Sequence, residues 1–232
     1  MNKLLNNSAL EKSSIVANSL MNRERKCLGG NSYEKELSFD IPKFLKKRIE
    51  SESQVKWLDL CCGQGKALIE AANIFAEQNL NSHLQIIGID LVGMFAPKPF
   101  NLDFLKLIKS SVENFIPEYD FDLITCVHGL HYIGDKLHFL QKSVSWLKND
   151  AIFLANLDLS NLNFSDNESS RKFIGEDLRK YGFEYNSKKH LVMCEGKKDM
   201  DFNFNYLGAD DTAGANYTGQ AVVNSYYENK KG

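Results

Sequence analysis

The run KWLDLCCGQGKAL, residues 56–68, sets Asp59 two positions before the small Cys61, with Gly63 and Gly65 following at alternate positions. An acid that closes an apolar run, followed by small residues at this spacing, makes a turn that lets the backbone approach a ligand closely. Two phosphate-cradling patterns fail on register. The dinucleotide fingerprint G-x-G-x-x-G needs a third glycine where Leu68 stands, counting from Gly63, or where Lys66 stands, counting from Cys61. No G-x-x-x-x-G-K-[ST] occurs either. Asp90 ends a second apolar run, LQIIGI, and His128 and His131 follow a third, FDLITCV. The adjacent Cys61 and Cys62 read as small apolar residues packed in a turn.

The elements that must hold these residues follow from periodicity. Val55–Leu60 is short, apolar and ends in a turn, as a strand buried on both faces does. From Lys66 the period changes: Ala67, Leu68, Ala71, Ala72, Ile74 and Phe75 recur at helical spacing up to EQNLN. Further strands are predicted at Leu84–Ile89, Phe104–Ile108, Phe121–Val127 and Ala151–Leu157, with a helical stripe of Leu137, Leu140, Val144 and Leu147 before the last. Strands alternating with helices imply parallel pairing through right-handed crossovers, with the site at the strands' carboxyl ends. After a helix from Ser169, the runs KHLVMCEG and DFNFNYLG, joined by KKD, are expected to pair as an antiparallel hairpin. The polar, tyrosine-bearing end from residue 208 reads as a loop returning over the site or a frayed tail.

Asp59, Cys61, Gly63 and Gly65 resemble the first motif of the class I S-adenosylmethionine-dependent methyltransferases, roughly (D/E)-x-G-x-G-x-G, with cysteine in place of the first glycine. The resemblance spans about residues 55–157 in four ordered pieces. It implies an α/β fold: a doubly wound, mostly parallel seven-stranded sheet with a C-terminal antiparallel hairpin. Residues 1–50 are expected to be a helical cap or lid, and residues 51–232 the S-adenosyl-L-methionine-binding domain. It also implies that Asp90, with Leu91 beside it, accepts hydrogen bonds from the cofactor's ribose hydroxyls. Asp59 is implied at the cofactor's amino group, although holding the turn is a rival role. In KSSVENF, Ser111 stands where the family usually has an acid bonding the adenine amino group, and Val112 acts through its backbone N–H. Cys126 and Val127 would lie beside the cofactor, and Tyr33 would close over it. His128 and His131 are candidate general bases, whereas His83, His138 and His190 read as structural or surface groups. Arg23 and Arg25 are candidates for an acidic acceptor, with a surface role beside Glu24 as the alternative.

Composition limits the partners. The 232 residues are 43% hydrophobic and 25% charged, enough for one compact core, and the net charge of −2 has its lysines interleaved with carboxylates. That balance disfavours nucleic acid and suits a small-molecule methyl acceptor. Five cysteines without zinc-site spacing imply no metal and a reduced, cytoplasmic setting. No stretch approaches the roughly 20 apolar residues that span a bilayer, and the start lacks an uninterrupted apolar run of signal-peptide length. The expected activity is therefore methyl transfer to an O or N atom of a small molecule, natural products included. A protein or RNA methyltransferase and a cofactor-binding protein without turnover are the alternatives.

Overall fold

The computed structural model describes residues 4–17, 24–165 and 169–230. In chain order its helices and strands are α1 (Asn7–Leu10), α2 (Tyr33–Leu37), α3 (Ile41–Ser51), β1 (Val55–Leu60), α4 (Lys66–Glu77), β2 (Leu84–Asp90), β3 (Leu105–Lys109) and β4 (Phe121–Cys126). There follow α5 (Lys136–Ser145), β5 (Leu147–Asn156), β6 (Leu162–Phe164), α6 (Ser169–Lys180), β7 (Phe183–Asn186), β8 (Leu191–Glu195), β9 (Phe204–Asp210) and β10 (Asn224–Asn229).

The main sheet has seven strands in the order β3-β2-β1-β4-β5-β8-β7. The pairs from β3 to β5 are parallel, and β8 runs antiparallel to both β5 and β7. This is the doubly wound, mostly parallel sheet that alternating strands and helices predict. Chain order reverses direction between β1 and β4, so the carboxyl ends of β1, β2 and β4 open onto one crevice. Burial explains why the central strands are nearly continuous apolar runs: every residue of β4 is buried, as is all of β1 except Lys56. Trp57 donates from its indole nitrogen to Thr125 Oγ1 at 2.8 Å, a polar bond sealed inside the sheet.

The expected hairpin is replaced by a different pairing. KHLVMCEG supplies β8, which pairs with β7 and β5, whereas DFNFNYLG supplies β9, which pairs antiparallel with β10. A second sheet results, in the order β6-β10-β9. A four-residue turn, with Asn186 Oδ1 accepting from the Lys188 and Lys189 N–H groups, closes β8 onto β7, and with β5 on its other edge β8 has no edge left for β9, which pairs with β10 instead. The tail is accordingly neither frayed nor a plain loop over residues 224–229. Leu147, the last position of the helical stripe, begins β5 instead of ending α5.

Two larger cores lie on the sheet's two faces. One joins α5, β5 and the second sheet through residues such as Phe121, Leu140, Phe153 and Tyr227. The other joins Tyr33, Leu37, Ile41 and Leu45 of α2 and α3 to Trp57, Leu68 and Phe75. A third, small cluster packs Leu10 and Val16 of the N-terminal strap against Ala209 and Val223.

Candidate active site

The crevice at the strand tips deepens into a cavity with about 1070 Å³ of empty space, its open mouth included. Its floor is the β1–α4 turn. Cys62 N–H bonds the Ile89 carbonyl at 2.9 Å, which pins the turn to β2. Cys61, Gly63 and Gly65 all adopt positive φ (60°, 59° and 73°). Glycine accepts that region freely, whereas a side chain such as that of Cys61 costs roughly 1–2 kcal/mol there. Gly65 is also the N-cap of α4, and a Cβ on it would meet both Leu107 methyl groups at 3.0 Å. Gly129, in the loop after β4, is tighter still: a Cβ there would sit 2.4 Å from the Cβ of Cys61 and 2.6 Å from the Cys126 Sγ. The loops after β1 and β4 therefore close on one another only because residue 129 has no side chain.

Asp90 stands at the tip of β2 with its carboxylate held by backbone donors. Oδ2 accepts from Gly63 N–H at 3.0 Å, and Oδ1 accepts from Val92 and Gly93 N–H at 3.0 and 3.2 Å. The same side chain thus organises both neighbouring loops and lines the cavity.

Asp59 lies behind the floor. It is fully buried, accepting from Tyr33 OH at 2.7 Å and Thr125 Oγ1 at 2.5 Å, and it does not line the cavity. Burial pushes its carboxyl up to about 7, against the pull of those two hydroxyl donors, with Asp90 adding to the rise. Tyr33 is driven well above the ordinary phenol range, first by burial and then by the Asp59 carboxyl. Its ring lines the cavity while its hydroxyl ties α2 to β1.

The loop after β3 forms one end of the cavity, with Ser111, Val112 and Glu113 on its wall. Ser111 Oγ donates to Glu11 of the N-terminal strap and accepts from Glu113 N–H at 3.1 Å. Asn7 Nδ2 donates to Glu113 Oε1 at 3.1 Å, and Leu5 pairs with Ala209 through two backbone hydrogen bonds. The strap is tied down at both ends of its contact with the site.

The loop after β4 carries the histidines. His128 sits at φ 58° and lines the cavity, with both ring nitrogens engaged: Nε2 lies 3.0 Å from Glu36 Oε2, and Nδ1 lies 3.3 Å from His131 Nε2. The hydrogen bond with His128, then Arg25, holds the Glu36 carboxyl down at about 2. His131 is buried behind His128, and its Nε2 also lies 3.3 Å from Tyr217 OH. Burial first, then the neighbouring His128 and Lys136, pushes His131 down to about 3. Tyr217 in turn stacks on His190, with ring centroids 3.8 Å apart and planes 6° from parallel.

Of the residues singled out from sequence, Tyr33, Cys61, Gly63, Asp90, Leu91, Ser111, Val112, Val127 and His128 meet at this cavity. Asp59, Gly65, Cys126 and His131 support its wall from behind. Arg25 lines the cavity and pairs with Glu36 at 3.3 Å, while Arg23 lies outside the described residues. Glu11 and Gln220 carry no local mark in the sequence, and Glu36 almost none. Each reaches the site from a segment far along the chain, although Glu36 has one legible sign, its position three residues after Tyr33.

A model of the methyltransferase domain matches residues 31–189. The chain belongs to the methyltransferase-domain family. That match runs from just before α2 through β7, so the strap and the second sheet's β9 and β10 lie outside the family's common part. No curated protein matches. Among solved structures, the plantazolicin methyltransferase BpumL in complex with SAH is 16% identical, with 52% of this chain and 46% of that one covered and a TM-score of 0.39. CalS10, an amino pentose methyltransferase from Micromonospora echinaspora solved with SAM, is 20% identical, covering 55% of this chain and 51% of that one at a TM-score of 0.40. A SAM dependent methyltransferase from Aquifex aeolicus is 20% identical over 70% of this chain and 91% of its own, at a TM-score of 0.42. The chain spans about half the length of BpumL and CalS10. Among the described residues, no group of three His, Cys, Asp or Glu side chains could hold a metal ion, and no helix is long and apolar enough to cross a membrane.

Proposed function

We propose that this member of the methyltransferase family binds S-adenosyl-L-methionine in the strand-tip cavity and transfers its methyl group to an O or N atom of a small molecule. The observation that carries the reading is the convergence, in one cavity, of the Asp90 carboxylate, the positive-φ turn at Cys61–Gly63, Tyr33, Val112 and His128. The residues fit such a cofactor. The turn brings backbone where a side chain would intrude, and Asp90 offers a carboxylate, already oriented by three N–H groups, to ribose hydroxyls. The bound cofactor supplies an electrophilic methyl on a sulfonium whose charge disappears in the reaction.

What the chain contributes is mostly alignment, for which effective-molarity arguments allow on the order of 7–11 kcal/mol. An imidazole base adds ~10²–10⁴-fold, and only for an acceptor that must lose a proton. Of the two histidines, His128 faces the cavity; Glu36 fixes its ring, and His131 backs it. The 1–50 segment serves as a cap over this cavity in the same reading, since Glu11, Arg25 and Tyr33 all reach it. A small acceptor suits a cavity enclosed by a strap and a C-terminal loop.

Calorimetry with S-adenosylmethionine and S-adenosylhomocysteine against nicotinamide cofactors tests the binding step. Asp90→Ala should lose roughly 1.5–3 kcal/mol of that affinity, and equal binding by a folded variant would remove the ribose role. For turnover, His128→Ala should keep cofactor binding and lose about 10²-fold or more, with an altered pH profile. Lost cofactor affinity with unchanged turnover would reduce His128 to cavity lining.

A further inference from the structure

The end of the cavity beyond Asp90 has an unused recognition edge. Leu10, Leu91 and Val112 give it apolar walls suited to a flat ring. At its rim the Val112 N–H meets no acceptor among the described residues. The neighbouring Ser111 hydroxyl spends its hydrogen on Glu11 and accepts from Glu113 N–H, so the stronger acceptor at this rim is the Glu11 carboxylate. A backbone donor beside a carboxylate acceptor matches a heteroaromatic edge that presents a ring-nitrogen acceptor next to an exocyclic amino donor. A 6-aminopurine has that edge. A 6-oxopurine has the reverse, a ring N–H beside a carbonyl, and would set donor against donor and oxygen against carboxylate.

We propose that Glu11, delivered from the N-terminal strap and held in place by Ser111, is the residue that selects the amino-bearing purine of the cofactor; this rests on the cofactor reading above. The anchoring is specific to the site. Asn6 caps the short α1 by accepting from Ala9 N–H, Leu10 is buried against Val223 and Ala209, and Leu5 pairs with β9, so Glu11 leaves the strap at a fixed point. Glu113 is the rival carboxylate on the same wall, and it is already bonded by Asn7.

The test measures, by calorimetry, the affinities of S-adenosylhomocysteine and its 6-oxo analogue S-inosylhomocysteine for wild type, Glu11→Gln and Glu113→Gln. Wild type should prefer the amino form by about 10- to 100-fold, as the loss of a hydrogen bond to a charged group implies. Glu11→Gln should lose most of that preference, and Glu113→Gln should retain it. Taking the ratio of the two ligands within each variant cancels any general loosening of the strap. A preference kept by Glu11→Gln, or lost only in Glu113→Gln, would overturn the role of Glu11 while leaving the cofactor reading intact. Failure of wild type to bind either ligand would overturn the cofactor reading itself.

Discussion

On the floor of the cavity, the β1–α4 turn and the β2 tip are joined by bonds between neighbouring strands and their ends: Cys62 to Ile89, Gly63 to Asp90 and Thr125 to Asp59. On its cover, the strap and the segment from Gly214 to Val223 are held by partners far away in sequence. Val223 N–H bonds the His131 carbonyl, and the buried Lys136 ammonium donates to the Ile133 and Val223 carbonyls and to Ser225 Oγ. The floor is fixed by the ladder of a parallel sheet. The cover depends on a handful of polar anchors, and so each anchor matters more. Electrostatics divide the same way. Burial raises Asp59 to about 7 under the floor and lowers Lys136 to about 7 under the cover, where Asp135 and Asp158 resist the fall.

The largest effect should come from removing the cover's main anchor. Lys136→Met strands two buried carbonyls and a hydroxyl, each costly to leave without a donor, and should destabilise the protein by roughly 2–4 kcal/mol in urea unfolding. Unchanged stability would mean that the cover rests on apolar packing rather than on this polar anchor. Linkage adds a sign. The unfolded chain holds the Lys136 proton to about 10.5, well above its folded value, so its contribution makes wild-type stability rise with pH between about 7 and 10.5.

This division also explains what the sequence disclosed. β1, α4, β2, β4 and the turn between β1 and α4 were legible because their signals are local: an apolar run, a small-residue turn, a change of period. Asp90 was legible because it ends a strand. The pairing of β9 with β10 was not, since both runs alternate in the way many strands do, and no local signal distinguishes a partner next along the chain from one near the terminus. Glu11 and Glu36 are ordinary helix-surface acids by pattern. Only the folded chain brings them to Ser111 and His128. Tyr227, within the tyrosine-bearing end that reads by sequence as a returning loop or a frayed tail, is instead buried in the main core, stacked on Phe164 with its hydroxyl on Asp135.

Titration of the floor should run opposite to that of the cover. In the folded state Asp59 keeps its proton to about 7, whereas the unfolded carboxyl loses it near 3.8, so the folded state binds more protons in between and stability falls as pH rises through that window. Asn at position 59 has no proton to lose and can still accept from one hydroxyl. Asp59→Asn should therefore gain on wild type by roughly 3 kcal/mol between pH 4 and pH 7, and little further above. Melting curves across that range check it; a constant difference would show that the carboxyl titrates normally.

Next in size is a change confined to the backbone of the floor. Gly65→Ala forces a side chain into φ 73° and against Leu107, a flexible neighbour that can give by a few tenths of an ångström. The backbone cost should dominate at about 1–2 kcal/mol, with cofactor affinity reduced in parallel because the same turn lines the cavity. A loss of affinity without loss of stability would separate the turn's binding role from its structural one.

The smallest effect should come from the edge of the cover. Tyr217 is half exposed, and its hydroxyl makes one long contact, 3.3 Å, to His131, while its ring lies flat on His190. Tyr217→Phe removes the hydroxyl and keeps the stack, so stability should change by no more than about 0.5 kcal/mol, as for other half-exposed polar groups. Tyr217→Ala removes the ring as well and should loosen the segment around residues 214–222. Hydrogen exchange separates the two: the Phe variant should match wild type there, and the Ala variant should exchange faster at Val222 and Gly219, whose N–H groups bond the Gly214 and Asn216 carbonyls. Equal exchange in all three proteins would mean that the His190 stack holds nothing, and that this segment is anchored through Val223, by the His131 carbonyl and Lys136.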